Sequence, residues 1–185
     1  MISNIKKPLT SQQGVSLIEI LVLVIIMSIG LLGIAGLQVA GLKQTAQSGA
    51  QTQAMFLAED IIARIRSNRV AVLNDTTVIP GSYTKKSGST FPTAADADCS
   101  KSTGCDKEKM AASDLFNWSQ ILQNSLPTSA ATLKDDTYIC LDSNPADTTD
   151  CDDKGSTFVV QIGWNQTSTT DSTATVQTYR TYFEP

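Results

Sequence analysis

The sequence concentrates its chemistry in a short segment near the N-terminus, Gly-Val-Ser-Leu-Ile-Glu at positions 14 to 19. Gly14 is a small residue between a polar stretch and a long apolar run, an arrangement that suits peptidase cleavage after Gly14. Such a cut would leave a new amine on Val15. Glu19 is the single carboxylate at the start of the apolar run, so an amine and a carboxylate would stand close together in the sequence.

Glu19 needs an explanation, because a carboxylate in a membrane helix costs about 2.5–3.5 kcal/mol at mid-bilayer and less near the interface. In a bundle of such helices, the Glu19 carboxylate of one subunit can meet the Val15 amine of a neighbour. The two charges then neutralise each other where the dielectric constant is low. The alternative is an interfacial acid that reaches water. We expect Glu19 to be an assembly residue.

The apolar run itself predicts a membrane span. The range 20–40 has no charged residue and is roughly 31 Å long as an α-helix, which matches a hydrocarbon core of ~30 Å. Lys6 and Lys7 precede it, so the positive-inside rule places the N-terminus in the cytoplasm and the chain after Lys43 outside the inner membrane. A secretory signal has its cleavage site after the apolar core. Here the small residue comes first, so we expect the span to survive processing.

The helix is predicted to continue past the membrane, because no proline occurs between Val15 and Arg69. Apolar residues then recur at three- and four-residue spacing, which is typical of an amphipathic helix with one face on a protein core. These residues are Ala46, Ala50, Ala54, Leu57, Ala58, Ile61 and Ile65. Asp60 and Arg64 have the spacing of an ion pair on one helix face.

Four glycines in this helix, Gly30, Gly33, Gly36 and Gly41, allow two interpretations. Small residues let helices approach closely inside a membrane. Alternatively the glycines melt the helix locally, since each costs about 1 kcal/mol relative to alanine outside lipid. Both interpretations predict a helix that packs against other helices.

The rest of the chain predicts an α+β domain. A short helix is expected at 114–126, before Pro127. Its apolar face consists of Leu115, Trp118, Ile121 and Leu122. Strands are expected at 70–73, 78–83, 137–141, 157–164 and 173–183. The last three make a small antiparallel sheet, and the apolar stripe of the long helix is its natural cover.

Four cysteines, Cys99, Cys105, Cys140 and Cys151, all lie beyond the span. An even number of cysteines outside the membrane predicts disulfides in an oxidising compartment. Short loops favour Cys99–Cys105 and Cys140–Cys151, although all three connectivities stay open at this point. A zinc site with four thiolates is the alternative, but no Cys-x-x-Cys pair is present.

Composition argues against several classes of function. The chain has no histidine, which removes the commonest metal ligand and general base, and no spacing of Ser, Lys or carboxylates suggests catalysis. The formal net charge is −4 and Lys and Arg do not cluster, which argues against nucleic-acid binding. The acidic loop between Asp142 and Asp153 can form a calcium site, but its spacing favours a solvated loop. We expect no enzyme activity and no cofactor.

The segment QQGVSLIEILVLVIIMSIGLLGIAGLQ resembles the prepilin-type leader and N-terminal helix of type IV pilins and of type II secretion pseudopilins. Their pattern is a cleavage-site glycine, a hydrophobic residue, Ser or Thr, Leu, Ile or Val, and Glu. Residues 14 to 19 match it one by one, with Val15 where phenylalanine is usual. The resemblance implies a type IV pilin-like fold, cleavage between Gly14 and Val15 by prepilin peptidase, and N-methylation of Val15.

Four further segments narrow the resemblance to PilV-like minor pilins, the type IV pilus modification proteins: SIGLLGIAGLQ, AEDIIARIRSN, DLFNWSQILQNSLP and VVQIGW. This implies a minor pilin that primes the type IV pilus or is incorporated into it. The implied partners are other minor pilins, the major pilin and the inner-membrane assembly platform. A minor pseudopilin of a type II secretion system is the alternative.

The resulting organisation has four parts: a leader at 1–14, a transmembrane and filament-core helix at 15–42, the amphipathic half of the helix at 43–69, and a periplasmic globular domain at 70–185. The resemblance implies a single-pass protein of the bacterial inner membrane, with a cytoplasmic N-terminus. After assembly, the expected location is the pilus at the cell surface.

Processing can be tested by intact mass. In a host with active prepilin peptidase, we expect the mature protein to begin at Val15, because the peptidase requires the small residue before the cut. Gly14→Val should leave the full-length chain, whereas the distant change Gly49→Ala should not affect cleavage. A wild-type mass that begins at Met1 would contradict the prediction.

Overall fold

A computed structural model describes residues 14–74, 77–78, 82–101, 103–146, 151–167 and 173–185, with 73–74 and 77–78 described by their backbone alone. The predicted leader, apart from Gly14, lies outside this set, as do Asp147 and Asp150 of the acidic loop. The chain divides into two compact units, with the boundary between Lys43 and Gln44.

The first helix, α1, spans Leu17–Ser67, which confirms the predicted long helix to within two residues at each end. It continues through Gly30, Gly33, Gly36 and Gly41, so the helix is not broken at these glycines. In the first unit every residue from Gly14 to Lys43 is exposed. By length and composition this part of α1 can cross a membrane.

In the second unit, α1 is amphipathic and contributes one face to the core. Its buried residues are Ala54, Leu57, Ala58, Ile61, Ile62 and Ile65. The predicted stripe began at Ala46, but Ala46 is exposed and Ala50 is only partly buried. The apolar contact therefore starts later, because the groove beside Gln47 and Gln51 is lined with polar side chains.

The last three strands are β3, Tyr138–Asp142, β4, Thr157–Thr167, and β5, Ala174–Phe183. They form an antiparallel sheet, as predicted, and its order is β3–β4–β5. The alternating residues Phe158, Val160, Ile162 and Trp164 of β4 all belong to the main core. On the other side, Val159 packs with Tyr138, Cys140 and Cys151 in a second, smaller cluster.

The two short strands expected after the long helix take a different form. Arg69–Ala71 is a single 3-10 turn. A short hairpin follows, and each of its strands has two residues: β1, Leu73–Asn74, and β2, Thr77–Val78. Tyr83 lies in a turn and is fully buried. The apolar residues of this region thus enter the core individually, without a regular strand.

The second helix, α2, spans Lys107–Ser125 and begins earlier than predicted. Asp106 caps it, because its side chain accepts a hydrogen bond from the Lys109 amide at 2.8 Å. Leu115, Trp118 and Leu122 are buried, as expected from their spacing. The placement of Ile121 on the buried face was wrong: it lies at the margin of the stripe and is exposed.

A polar network joins α1, α2 and the Tyr83 turn. The Tyr83 hydroxyl donates to Asp114 Oδ2 at 2.6 Å, and Arg64 donates to Asp114 Oδ1 at 3.2 Å. Arg64 also donates to Asp60 at 2.9 Å, so the predicted ion pair is present. Burial and the bond to Asp114 raise the pKa of Tyr83 well above its usual value. The network satisfies polar groups that would be costly to bury alone.

Lys85 connects the segment after Tyr83 to strand β3 and to the turn that precedes β3. Its backbone exchanges two hydrogen bonds with Ile139 of β3, at 2.7 and 2.8 Å. Its buried ammonium donates to the carbonyls of Leu133, Lys134 and Thr137, at 2.8, 2.5 and 2.5 Å. These carbonyls lie in and beside a π-helical turn, Thr132–Asp136, so one side chain holds that turn against the sheet.

Burial lowers the pKa of Lys85 to about 8, although Asp135 and Asp136 act in the opposite direction. Folded Lys85 therefore releases its proton near pH 8, whereas the unfolded chain keeps it up to a pKa of 10.5. The unfolded state binds more protons in this window, so the contribution of Lys85 to the free energy of unfolding rises with pH.

Lys85→Met tests this assignment. At pH 7 we expect the variant to lose about 1–3 kcal/mol, because three carbonyls, including the buried one of Thr137, lose their donor. Between pH 8 and 9.5 the free energy of unfolding of the wild type should rise relative to that of the variant by up to about 1.4 kcal/mol per pH unit. Urea unfolding of the full chain in detergent, followed by the fluorescence of buried Trp118 and Trp164, measures both effects. Parallel pH profiles would contradict the assignment.

Candidate assembly interface

The predicted cleavage site lies immediately before α1. Gly14, Val15 and Ser16 precede the helix, and the Ser16 carbonyl accepts hydrogen bonds from the amides of Glu19 and Ile20, at 3.0 and 3.3 Å. Val15 is 64% exposed. A side chain at Gly14 would meet no atom within 4 Å, so any demand for a small residue here comes from something other than this chain's own packing.

Glu19 lies in the first turn of α1. A carboxylate is favoured there, because the unpaired amides at a helix N-terminus carry partial positive charge. The position of Glu19 at the helix start therefore suits a negative charge, and its role between subunits stays a prediction.

The rest of the first unit presents an apolar surface on every side. Large side chains are exposed along its whole length, from Leu17 at 84% to Leu37 at 75% and Leu42 at 71%. Monomeric soluble proteins rarely expose a continuous apolar surface of this extent. Lipid or other apolar helices can cover it. The only charged side chain between Gly14 and Leu42 is Glu19.

The four cysteines lie in the second unit and are joined in two disulfides. Cys99 is bonded to Cys105, with Cα atoms 4.7 Å apart, and Cys140 to Cys151, with Cα atoms 6.0 Å apart. All four sulfurs are used, so the structure offers no thiolate set for zinc. The first bridge closes a loop just before α2, and the second joins buried strand β3 to the acidic loop.

The described part of the acidic loop is occupied with protein contacts. Asp142 accepts from Arg180 at 3.3 Å, and Asp153 is paired with Lys86. Asp152 accepts from the Ser143 hydroxyl and amide, at 2.6 and 3.0 Å, and these bonds lower the pKa of its carboxyl. Among the described residues, no three His, Cys, Asp or Glu side chains gather as metal ligands.

These features define a class of protein. An N-terminal helix that can cross a membrane continues into an amphipathic half, and that half packs on a three-stranded antiparallel sheet. This α+β arrangement is consistent with the type IV pilin fold. A pilin of this kind is membrane-associated and is expected to partner with other pilins.

One comparison with known proteins found a related family. Residues 36–116 match the Tt1218-like family, described as type IV pilin Tt1218. The match covers less than half of the chain, and it excludes both the segment 14–19 and the sheet. Comparisons with curated proteins and with solved structures gave no match. The family match and the fold support a type IV pilin, and that family consists of structural subunits, not enzymes.

The two bridges should contribute unequally to stability. Replacing Cys99 and Cys105 by alanine should lower the free energy of unfolding by about 2 kcal/mol, because the closed loop is short. Replacing Cys140 and Cys151 should cost about 3 kcal/mol, since that loop is longer and Cys140 is buried in the second cluster. Urea unfolding of each double variant measures the difference. Equal losses, or the reverse order, would contradict the argument.

Proposed function

We propose that this chain is a PilV-like minor pilin of the type IV pilus. Prepilin peptidase removes residues 1–14, Val15 becomes the methylated N-terminus, and the chain is anchored by 15–42 in the inner membrane with 70–185 in the periplasm. It then primes pilus assembly or enters the filament with other minor pilins and the major pilin. The assembly platform in the inner membrane moves it from lipid into the filament.

The observation that carries this proposal is the exposed apolar helix with a single carboxylate in its first turn. Leaving lipid for a filament exchanges one apolar environment for another, so the apolar residues contribute little preference between the two. A charged pair formed only between subunits supplies such a preference. Glu19 and the new Val15 amine are the opposite charges that such a pair requires.

Glu19 variants test the proposal. We expect Glu19→Gln and Glu19→Ala to be made, inserted and processed normally, because the second unit contains its own core and insertion becomes easier without the charge. Both should be recovered poorly in sheared pili. Glu59→Gln is the matched control, since Glu59 is an exposed glutamate of α1 in the second unit, and it should enter pili like the wild type.

Equal recovery of wild type, Glu19→Gln and Glu19→Ala would overturn the charge-pair account. The leader pattern and the fold are also those expected of a minor pseudopilin. A chain that is absent from pili, and whose deletion abolishes type II secretion while leaving pili intact, would favour that alternative.

A further inference from the structure

Strand β5 forms the outer edge of the sheet, and no strand among the described residues lies against its free side. Its ten residues pair with β4 in one continuous register, from Phe183 opposite Phe158 to Ala174 opposite Thr167, without a bulge. The free side of such a strand presents a row of main-chain donors and acceptors, which another extended chain can match.

The strand also lacks the usual protection of an edge. Ala174–Phe183 contains neither proline nor lysine, and its one charged side chain, Arg180, is engaged with Asp142. The first half of the strand, 174–178, is exposed, with Val176 at 45%. Natural proteins normally block long, regular edges with charges, prolines or bulges. An edge without them is typical of a strand that receives a partner.

A groove of about 330 Å³ adjoins the same half of β5. Five glutamines line it: Gln44, Gln47 and Gln51 from α1, Gln166 from β4 and Gln177 from β5. No charged side chain belongs to the lining. Each glutamine offers both donors and an acceptor, and these are the groups that complement a peptide main chain or an uncharged polar side chain.

Trp164 also belongs to the lining of this groove. It is only 4% exposed, and its buried Nε1 donor has no hydrogen-bond partner among the described residues. This burial hides the indole face, so Trp164 offers no platform for stacking a sugar ring. The chemistry therefore favours polypeptide over carbohydrate.

We propose that β5 and the glutamine groove form a docking site for an extended, uncharged polypeptide segment of another pilin subunit. The segment adds beside β5 as a fourth strand, and its polar groups meet the glutamine side chains of the groove. The identity of the partner rests on the proposed function, whereas the site rests on the edge strand and the groove.

Photo-crosslinking in pilus-forming cells tests the site. A benzophenone amino acid at position 176 of the full chain should give an adduct whose peptide map contains a segment of a pilin subunit, in membranes and in sheared pili. The same probe at Val70, an exposed residue of the second unit that belongs neither to β5 nor to the lining of the groove, should give no such adduct. Equal yields at the two positions would overturn the proposal.

A variant in the groove tests whether the glutamine groove takes part in docking. Gln51→Glu places an unpaired carboxylate in the groove, and the adduct from position 176 should fall about tenfold, which corresponds to ~1.4 kcal/mol. Asn117→Asp makes the same chemical change on the exposed side of α2 and should leave the adduct unchanged. An adduct that Gln51→Glu does not reduce, or that contains lipid or glycan in place of a peptide, would overturn the proposal.

The role of the β5 edge is tested separately by measuring how much of each Val176 variant is recovered in sheared pili. Val176→Lys adds the residue that natural edges use for protection and should reduce recovery, whereas Val176→Thr keeps the shape and should not. Equal recovery of the two variants refutes the docking site. So does a chain that carries the probe at position 176 and is present in pili without an adduct. An adduct in membranes with no chain in pili supports the docking site and refutes the pilus proposal.

Discussion

The contact between α1 and α2 at Trp118 is the interaction on which the second unit depends. The indole is fully buried, its Nε1 donates to the Leu57 carbonyl at 2.8 Å, and Phe91 meets its ring edge-on at 5.8 Å. One side chain thereby joins both helices and the loop after the hairpin. Because a buried aromatic contributes both a large apolar area and a directed bond, it determines which face of each helix turns inward.

Two sets of side-chain hydrogen bonds hold parts of the core that are not held by helix or strand pairing. The Tyr83–Asp114–Arg64 network holds the end of α1 to α2, and the Lys85 ammonium gathers three carbonyls at the π-helical turn. Tyr83 belongs to a segment in which a strand was expected, and Lys85 follows it by two residues. Side-chain hydrogen bonds hold these segments in place, where a longer strand would use main-chain hydrogen bonds.

The two halves of α1 face opposite physical demands. The first half is apolar on all sides and carries a single charge, so its favourable surroundings are lipid or other helices. The second half buries one stripe, and its other faces carry polar and charged side chains together with the exposed Met55 and Phe56. The two proposed assembly sites accordingly lie at the charged start of α1 and at the uncharged edge of β5 with its groove. In these proposals, charge pairing sets the register of neighbouring subunits at the first site, and main-chain hydrogen bonding sets it at the second.

Periodicity by itself determined much of the structure. The three- and four-residue spacing of α1 and the alternation of β4 are local properties of the chain, and they predicted the long helix, the antiparallel sheet and many residues of the main core. Gly14, Val15 and Glu19 were also identified from sequence alone, because an isolated carboxylate beside a small residue is anomalous in an apolar run. Their roles in cleavage and assembly stay predictions.

Tertiary structure decided what depends on distant partners. Nothing local marks Lys85 as buried, since its three carbonyls come from a turn nearly fifty residues away. The start of α2 depended on the capping residue Asp106, and the exposure of Ile121 on which side of α2 faces the core. The glutamine groove exists only because α1 and the ends of β4 and β5 lie side by side. Sequence patterns report which face of an element is apolar, but only the packed chain decides which polar groups those faces bring together.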